Sequence, residues 1–345
     1  MGHGKTALLL GATGGIGGEV ARQLRREGWD VRALKRGLDG ATQLHDGITW
    51  FGGDALSRDD VLRAAKSVDV IVHAVNPPGY RKWPQLVLPM VDNTIAAAIA
   101  EGATIVLPGT VYNYGPDAFP VIAENAPQNP LTRKGKIRVE LERRLEAATH
   151  RGARVIVVRA GDFFGPRAGN NWFSQGLVKP GKPVTAVSVP GDKGVGHEWS
   201  YLPDVARTMV ELLARRDGLE PFAAFHMAGH WDPDGTRMAN AIAQAVERRG
   251  GSRPTLQAFP WWLMRTLSPF VVTLRELLEM RYLWQRPIGL DNAKLVAFLG
   301  AEPHTPLDAA LRATLTDMGC LAEPKASGPA VGFDRDPSAA RASLA

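Results

Sequence analysis

The stretch LLLGATGGIGGEV sets Gly11, Gly14 and Gly17 three residues apart, directly after an apolar run and directly before a helical pattern. That spacing suits phosphate chemistry. Gly11 permits a tight turn, Gly14 lets the backbone approach a pyrophosphate, and Gly17 allows a helix to pack closely on its strand. Thr13, Gly15 and Ile16 complete the loop. The helix behind it offers free N–H groups and the positive end of its dipole, so a dinucleotide is the expected ligand. At the end of the second strand, VRALKRG carries Lys35 and Arg36 and no carboxylate. An acid there would hold the ribose hydroxyls of NAD, whereas a guanidinium can pair with a 2′-phosphate, so NADP is expected over NAD. Asp54 and Ala55 follow the third strand, where an aspartate can accept from an adenine amino group or simply hold a turn. Ala74, Val75 and Asn76, in AVNPPGYRKW, begin where the cofactor ribose should lie and are expected to line the nicotinamide side.

The elements that must position these residues alternate. TALLLG, DVRAL, VDVIVHAV, TIVLPGT and ARVIVVRAG read as buried strands. GGEVARQLRREG, SRDDVLRAAKSV, NTIAAAIAEGA and KGKIRVELERRLEAATHRG read as the helices between them, with Ser57 a good N-cap and Ile137, Leu141 and Leu145 on one stripe. Repeated β-α-β units with near-continuous apolar strands predict an α/β fold, a Rossmann-type doubly wound parallel sheet covered on both faces. Ligands in such sheets lie beyond the carboxyl ends of the strands. The expected boundaries are a dinucleotide-binding core over 1–165 and a smaller C-terminal substrate lobe over 166–320. Elements near 200–230 should return to the core, and a tail poor in large apolar residues over 321–345 is expected to be disordered.

Composition narrows the class. The net charge is +6, but the basic residues are scattered among acidic ones, which gives no groove-reading motif and no nucleic-acid partner. One cysteine, Cys320, excludes a disulfide framework. FPWWLMRTLSPFVVTLRELLEM is broken by Arg265, Pro269 and Arg275, too interrupted for a membrane span, so packed lobe helices and a cytoplasmic location are expected. GKT at Gly4 to Thr6 lacks the spacing of a P-loop, and Gly2 with Thr6 matches a myristoylation pattern only by chance. His226 and His230 are four apart, but on a strand and loop without an acidic third ligand, so no metal is expected. His73 reads as a core histidine. Arg167 is either a contact for an acidic substrate or a loop anchor. Trp172, Phe173 and Trp199 suit a carbonyl compound or a steroid- or flavonoid-like ligand as readily as a nucleotide sugar, and at least one of them is expected in the lobe core instead.

The glycine loop, GDA, DNTIAAAIAEGA, VLPGTVYNYGP, KGKIRVELE, VVRAGDFFGPR and HEWSYLPDVA together resemble the short-chain dehydrogenase/reductase superfamily. The similarity is to its extended or atypical, NAD-dependent epimerase/dehydratase-like branch, over roughly residues 5 to 320. The resemblance implies a serine or threonine, a tyrosine with a lysine four residues after it, and often an asparagine. Thr110 matches the hydroxyl residue that holds a substrate oxygen, Lys136 the lysine that bridges the nicotinamide ribose hydroxyls, and Asn93 the supporting asparagine. The tyrosine position, in NPLTRKGKIRVE, is Thr132. A phenol ordinarily titrates near ~10 and can be drawn toward neutrality by an ammonium, whereas a threonine hydroxyl is far less acidic.

Three readings follow. Tyr112 or Tyr114 supplies the phenol from the exit of the fifth strand; Lys136, water or Asp162 donates the proton; or the chain binds NADP without turnover, as a redox sensor or regulator. The resulting expectation is an NADP(H)-dependent oxidoreductase or epimerase-like enzyme moving a hydride to or from a small organic carbonyl or alcohol. The resemblance also implies a homodimer.

Overall fold

The computed structural model describes residues 5–38, 41–77, 82–169 and 171–321; all but the first residue of the tail expected to be disordered, and Pro78 to Arg81, lie outside them. The chain runs β1 (Thr6–Leu10), α1 (Gly15–Arg26), β2 (Asp30–Lys35), β3 (Thr42–His45), β4 (Ile48–Gly52), α2 (Arg58–Ala65), β5 (Val70–His73), α3 (Trp83–Glu101), β6 (Thr104–Gly109) and β7 (Val121–Ile122). It continues through α4 (Arg133–Thr149), β8 (Arg154–Arg159), β9 (Asp162–Phe164), β10 (Ala186–Val189), β11 (His197–Tyr201), α5 (Leu202–Ala214), β12 (Phe222–His226) and β13 (His230–Asp232). The last elements are α6 (Arg237–Glu247), β14 (Thr255–Ala258), α7 (Trp261–Leu267), α8 (Val272–Glu279), β15 (Gly289–Leu290), α9 (Ala293–Leu299) and α10 (Leu307–Asp317).

Eight strands form one sheet in the order β12-β8-β6-β5-β1-β2-β4-β3, parallel except for the antiparallel edge strand β3. Alternation along β1 shows why its residues are apolar throughout. Ala7 and Leu9 join a core with Val20, Leu24 and Val205 from α1 and α5, while Leu8 and Leu10 join the opposite core with Val61, Val91 and Leu141 from α2, α3 and α4. From β1 the chain winds outward to β2 and β4, then returns to place β5 on the other side of β1. The crevice beyond the carboxyl ends of β1 and β5 is therefore the switch point of the sheet. The FAAFHMAG segment rejoins the sheet as β12, parallel to β8. Ser57 caps α2 by accepting from Asp60 N–H at 3.3 Å.

Two elements depart from the sequence reading. α3 begins ten residues before Asn93, because Pro84 sits in its first turn, where a proline needs no donor. The late residues are not purely helical either: β14 pairs with β10, and β15 with β7. The interrupted apolar segment forms α7 and α8, which turn Met264, Leu274 and Leu277 inward and leave Trp262 and Phe270 exposed. Among the described residues no helix is long and apolar enough to cross a membrane.

Candidate active site

Gly11 has φ +97°, and a Cβ there would lie 2.6 Å from the Ala74 carbonyl oxygen. A Cβ on Gly17 would lie 2.2 Å from Gly11 O, so only glycine lets α1 rise this close to β1. Gly14 is the N-cap of α1; it makes no side-chain cap, and no acid stands in the first turn. Thr13 and Gly14 are exposed. The first-turn N–H groups, lacking intrahelical acceptors at the positive end of the helix, form a cradle that fits a dinucleotide pyrophosphate. A Cβ on Gly15 would touch Leu202 and Ala168, so the loop after β9 closes over the cradle. Arg167 is an anchor of that loop: its main-chain N–H donates to Asp317 Oδ2 at 2.6 Å and its guanidinium to Glu19 Oε2 at 3.3 Å.

Lys35 and Arg36 are exposed at the carboxyl end of β2, with the Lys35 ammonium 5.6 Å from the centre of the Trp50 ring. Asp54 holds a turn. Its Oδ1 accepts from Leu56 N–H at 3.0 Å, and its own N–H donates to Asp60 Oδ2 at 3.0 Å. Asn93 donates to the Ala55 carbonyl oxygen at 2.9 Å. It thus ties the loop after β4 to α3 and is not on the wall of the cavity described next.

A cavity of about 350 Å³ opens beyond the carboxyl ends of β5, β6 and β8. Ala74, Val75 and Asn76 line it, as do Thr110 and Tyr112, which follow β6. Thr110 Oγ1 accepts from Tyr112 N–H at 3.2 Å and donates to Asn113 Oδ1 at 3.4 Å, so the threonine fixes the turn that carries the tyrosine. His73 lies in the floor. Thr94 donates its hydroxyl proton to Met90 O at 3.1 Å and accepts from His73 Nδ1–H at 2.8 Å.

On α4 the structure corrects the sequence reading by two residues. Thr132 is the buried N-cap, its Oγ1 accepting from Gly135 N–H at 2.9 Å, which explains a hydroxyl residue at that place. Lys136 is exposed and absent from the cavity wall; Arg138 is on it. A shift of two residues turns a helix by about 200°, onto its opposite face. The inward pair with the same spacing of four is Lys134 and Arg138. Lys134 is tied to α8, with its ammonium on the Glu276 and Glu279 carboxylates, the latter at 2.5 Å. Arg138 donates to Asn76 Oδ1 at 3.5 Å and lies 5.1 Å from the Trp83 ring centre. The sequence signal was the apolar stripe itself, since Leu145 and Leu141 extended backward lead to Arg138 and Lys134. Glu142, on the same helix, pairs with Arg159.

Tyr114 is excluded from the site. It is fully buried, absent from the wall, and its hydroxyl meets His226 Nε2 at 3.2 Å. Burial pushes its phenol up to about 12. His226 Nδ1–H donates to Ile122 O at 3.0 Å, which leaves Nε2 to accept from Tyr114 and from Arg159 at 3.0 Å.

Burial, then the Arg159 charge, lowers His226 to about 3. Burial, then Arg138, lowers His73 to about 3, and burial with the neighbouring His304 lowers His230 to about 4. These neutral histidines stabilise the fold fully above the ordinary value of 6.5, and the contribution is lost as pH falls from there toward 3 to 4. Glu198 opposes them, since burial raises it well above the carboxylate range, but it supplies at most one proton. Near pH 5 unfolding therefore takes up a net one to two protons, about 1.4 to 2.7 kcal/mol of stability per pH unit. Urea midpoints at pH 7 and pH 5 check this; an equal or higher midpoint at pH 5 contradicts it.

Asp162 is on the wall and accepts from His197 Nε2–H at 2.8 Å. Trp172 is also on the wall, while Phe173 and Trp199 belong to the lobe core. Sequence reading missed Asn171, Gln175, Phe259, Met264, Leu274 and Leu277, which converge only through tertiary packing. Among the described residues no group of three or more histidine, cysteine or acidic side chains is placed to hold a metal.

The family model for the NAD dependent epimerase/dehydratase family matches residues 7–228. No curated protein matches the sequence. Solved structures with a similar fold include MoeE5 in complex with UDP-glucose and NAD, at 19% identity and TM-score 0.66, covering 90% of this chain and 98% of that one. Thermus thermophilus UDP-glucose 4-epimerase in complex with NAD is similar at 20% identity and TM-score 0.66, covering 91% and 98%. UDP-N-acetylglucosamine 4-epimerase from Bacillus cereus is similar at 15% identity and TM-score 0.67, covering 91% and 99%.

Proposed function

As the chain belongs to the NAD dependent epimerase/dehydratase family, we propose that it binds NADP(H) in the glycine loop and moves a hydride to or from a small organic carbonyl or alcohol held in the cavity. The observation that carries this reading is the convergence of Thr110, Tyr112 and Arg138 on one cavity wall. The bound nicotinamide supplies or takes up the hydride. Tyr112, the only tyrosine on the wall among the described residues, handles the proton, giving it to the carbonyl oxygen in reduction and taking it from the alcohol in oxidation. Thr110 orients that oxygen. Arg138 takes the ribose role that the sequence reading gave to Lys136. Arg36 is the residue for the 2′-phosphate, since it is exposed and its guanidinium suits bidentate pairing, while Lys35 leans over Trp50.

Tyr112→Phe removes one oxygen and keeps the ring. On any carbonyl substrate found by screening, kcat is expected to fall about 100- to 1,000-fold with dinucleotide affinity nearly unchanged. A variant with wild-type kcat would remove Tyr112 from the chemistry.

A further inference from the structure

We infer that the substrate is an uncharged, largely apolar carbonyl compound or its alcohol, and that the Asp162–His197 pair sets this preference by turning away anionic ligands such as nucleotide sugars. The inference rests on the hydride-transfer reading above. The lobe side of the cavity consists of Trp172, Phe259, Met264, Leu274 and Leu277, with the neutral amides of Asn171 and Gln175. Such a wall suits a flat or aliphatic body with few polar contacts. Trp172 packs edge-on to Phe259, with ring centres 5.8 Å apart at 75°.

Among the described residues, Arg138 and Asp162 are the only Asp, Glu, Lys or Arg side chains on the wall. Arg138 belongs to the cofactor side, given its contacts with Asn76 and Trp83. Asp162 stands where the chain leaves the sheet for the lobe, at the start of β9. Its carboxylate is fixed, because His197 Nε2–H donates to it at 2.8 Å and the imidazole lies flat on Trp284, with centres 3.8 Å apart at 13°. The fixed charge facing the substrate is therefore negative.

Burying a diphosphate requires guanidinium, ammonium or backbone N–H partners. The lobe-side wall holds no cationic side chain among the described residues, and Arg167 is off the wall and committed to Glu19 and Asp317. A cavity of about 350 Å³ shared with the nicotinamide also leaves room for a compact ligand only.

The test measures quenching of tryptophan fluorescence in the NADP⁺-loaded protein by three probes: acetophenone, its para-carboxylate, and UDP-glucose. Trp83 and Trp172 on the wall serve as reporters. Acetophenone is expected to bind at least about ten-fold more tightly than the carboxylate, with UDP-glucose weaker still, and Asp162→Asn to narrow the first gap to about three-fold or less. Equal or tighter binding of either anion, no binding of acetophenone, or an unchanged gap in Asp162→Asn overturns the inference. The readout needs no turnover. Binding of acetophenone without its reduction when NADPH is supplied in place of NADP⁺ keeps this substrate class and counts against the hydride-transfer reading, whereas turnover of UDP-glucose keeps hydride transfer and overturns the substrate class.

Discussion

Alanine at position 17 is expected to cost both stability and dinucleotide binding. The new Cβ would stand 2.2 Å from Gly11 O and 2.8 Å from Gly11 C, backbone atoms of the turn itself. Neither can yield like the end of a flexible side chain, so α1 must move away from β1 and carry the phosphate cradle with it. Overpacking of this kind costs about 1 to 3 kcal/mol, and a similar loss on the ligand side weakens binding about 10- to 100-fold. Gly14→Ala separates the two effects. Gly14 has φ −87°, and a Cβ there would meet only Gly11 O, at 3.3 Å. That variant should melt near the wild-type temperature while binding NADP⁺ more weakly, because its methyl group is added at the exposed cradle. Calorimetric titration with thermal melts of both variants checks the pair; wild-type binding by Gly17→Ala would contradict the assignment of the loop.

The second large effect concerns a buried ion pair whose two side chains are not on the cavity wall. Arg159 and Glu142 are 2% and 5% exposed, with the Arg159 guanidinium held on both carboxylate oxygens. Gln128 donates to the same carboxylate at 3.3 Å, and His226 accepts from the guanidinium. Glu142→Ala leaves a buried cation without its counter-charge, at an expected cost of about 3 to 5 kcal/mol. Replacing both partners with Glu142→Leu and Arg159→Met removes the uncompensated charge and should recover most of that loss. Urea unfolding of the single and double variants measures the coupling. A single variant costing under about 1 kcal/mol, or a double variant worse than both singles added, contradicts the account.

The glycine loop was legible because its requirement is local: a positive φ at Gly11 and a missing Cβ at Gly17 are properties of a few consecutive residues. The doubly wound sheet was legible for a related reason, since buried parallel strands must be apolar throughout. The α4 face was misread because a two-residue slip in a lysine-rich stretch leaves the spacing of four intact while reversing the face. Thr132 stands where the resemblance implies a catalytic tyrosine, but its hydroxyl caps α4. Tyr114 could not be excluded from sequence, as the histidine that takes its hydroxyl lies 112 residues away. The lobe wall was hidden in the same way, because Phe259, Met264 and Leu277 face Thr110 only after β9 has carried the chain out of the sheet and α7 and α8 have folded back.

The most direct measurement is calorimetric titration of the cofactor-stripped protein with NADP⁺, NADPH, NAD⁺ and NADH. Both NADP forms are expected to bind, each at least about ten-fold more tightly than its NAD counterpart, the equivalent of one added charge-assisted contact to the 2′-phosphate. Tight binding of one redox form alone would point to a sensor. Equal or tighter binding of the NAD forms would contradict the role given to Arg36, and binding of none of the four would contradict the account as a whole.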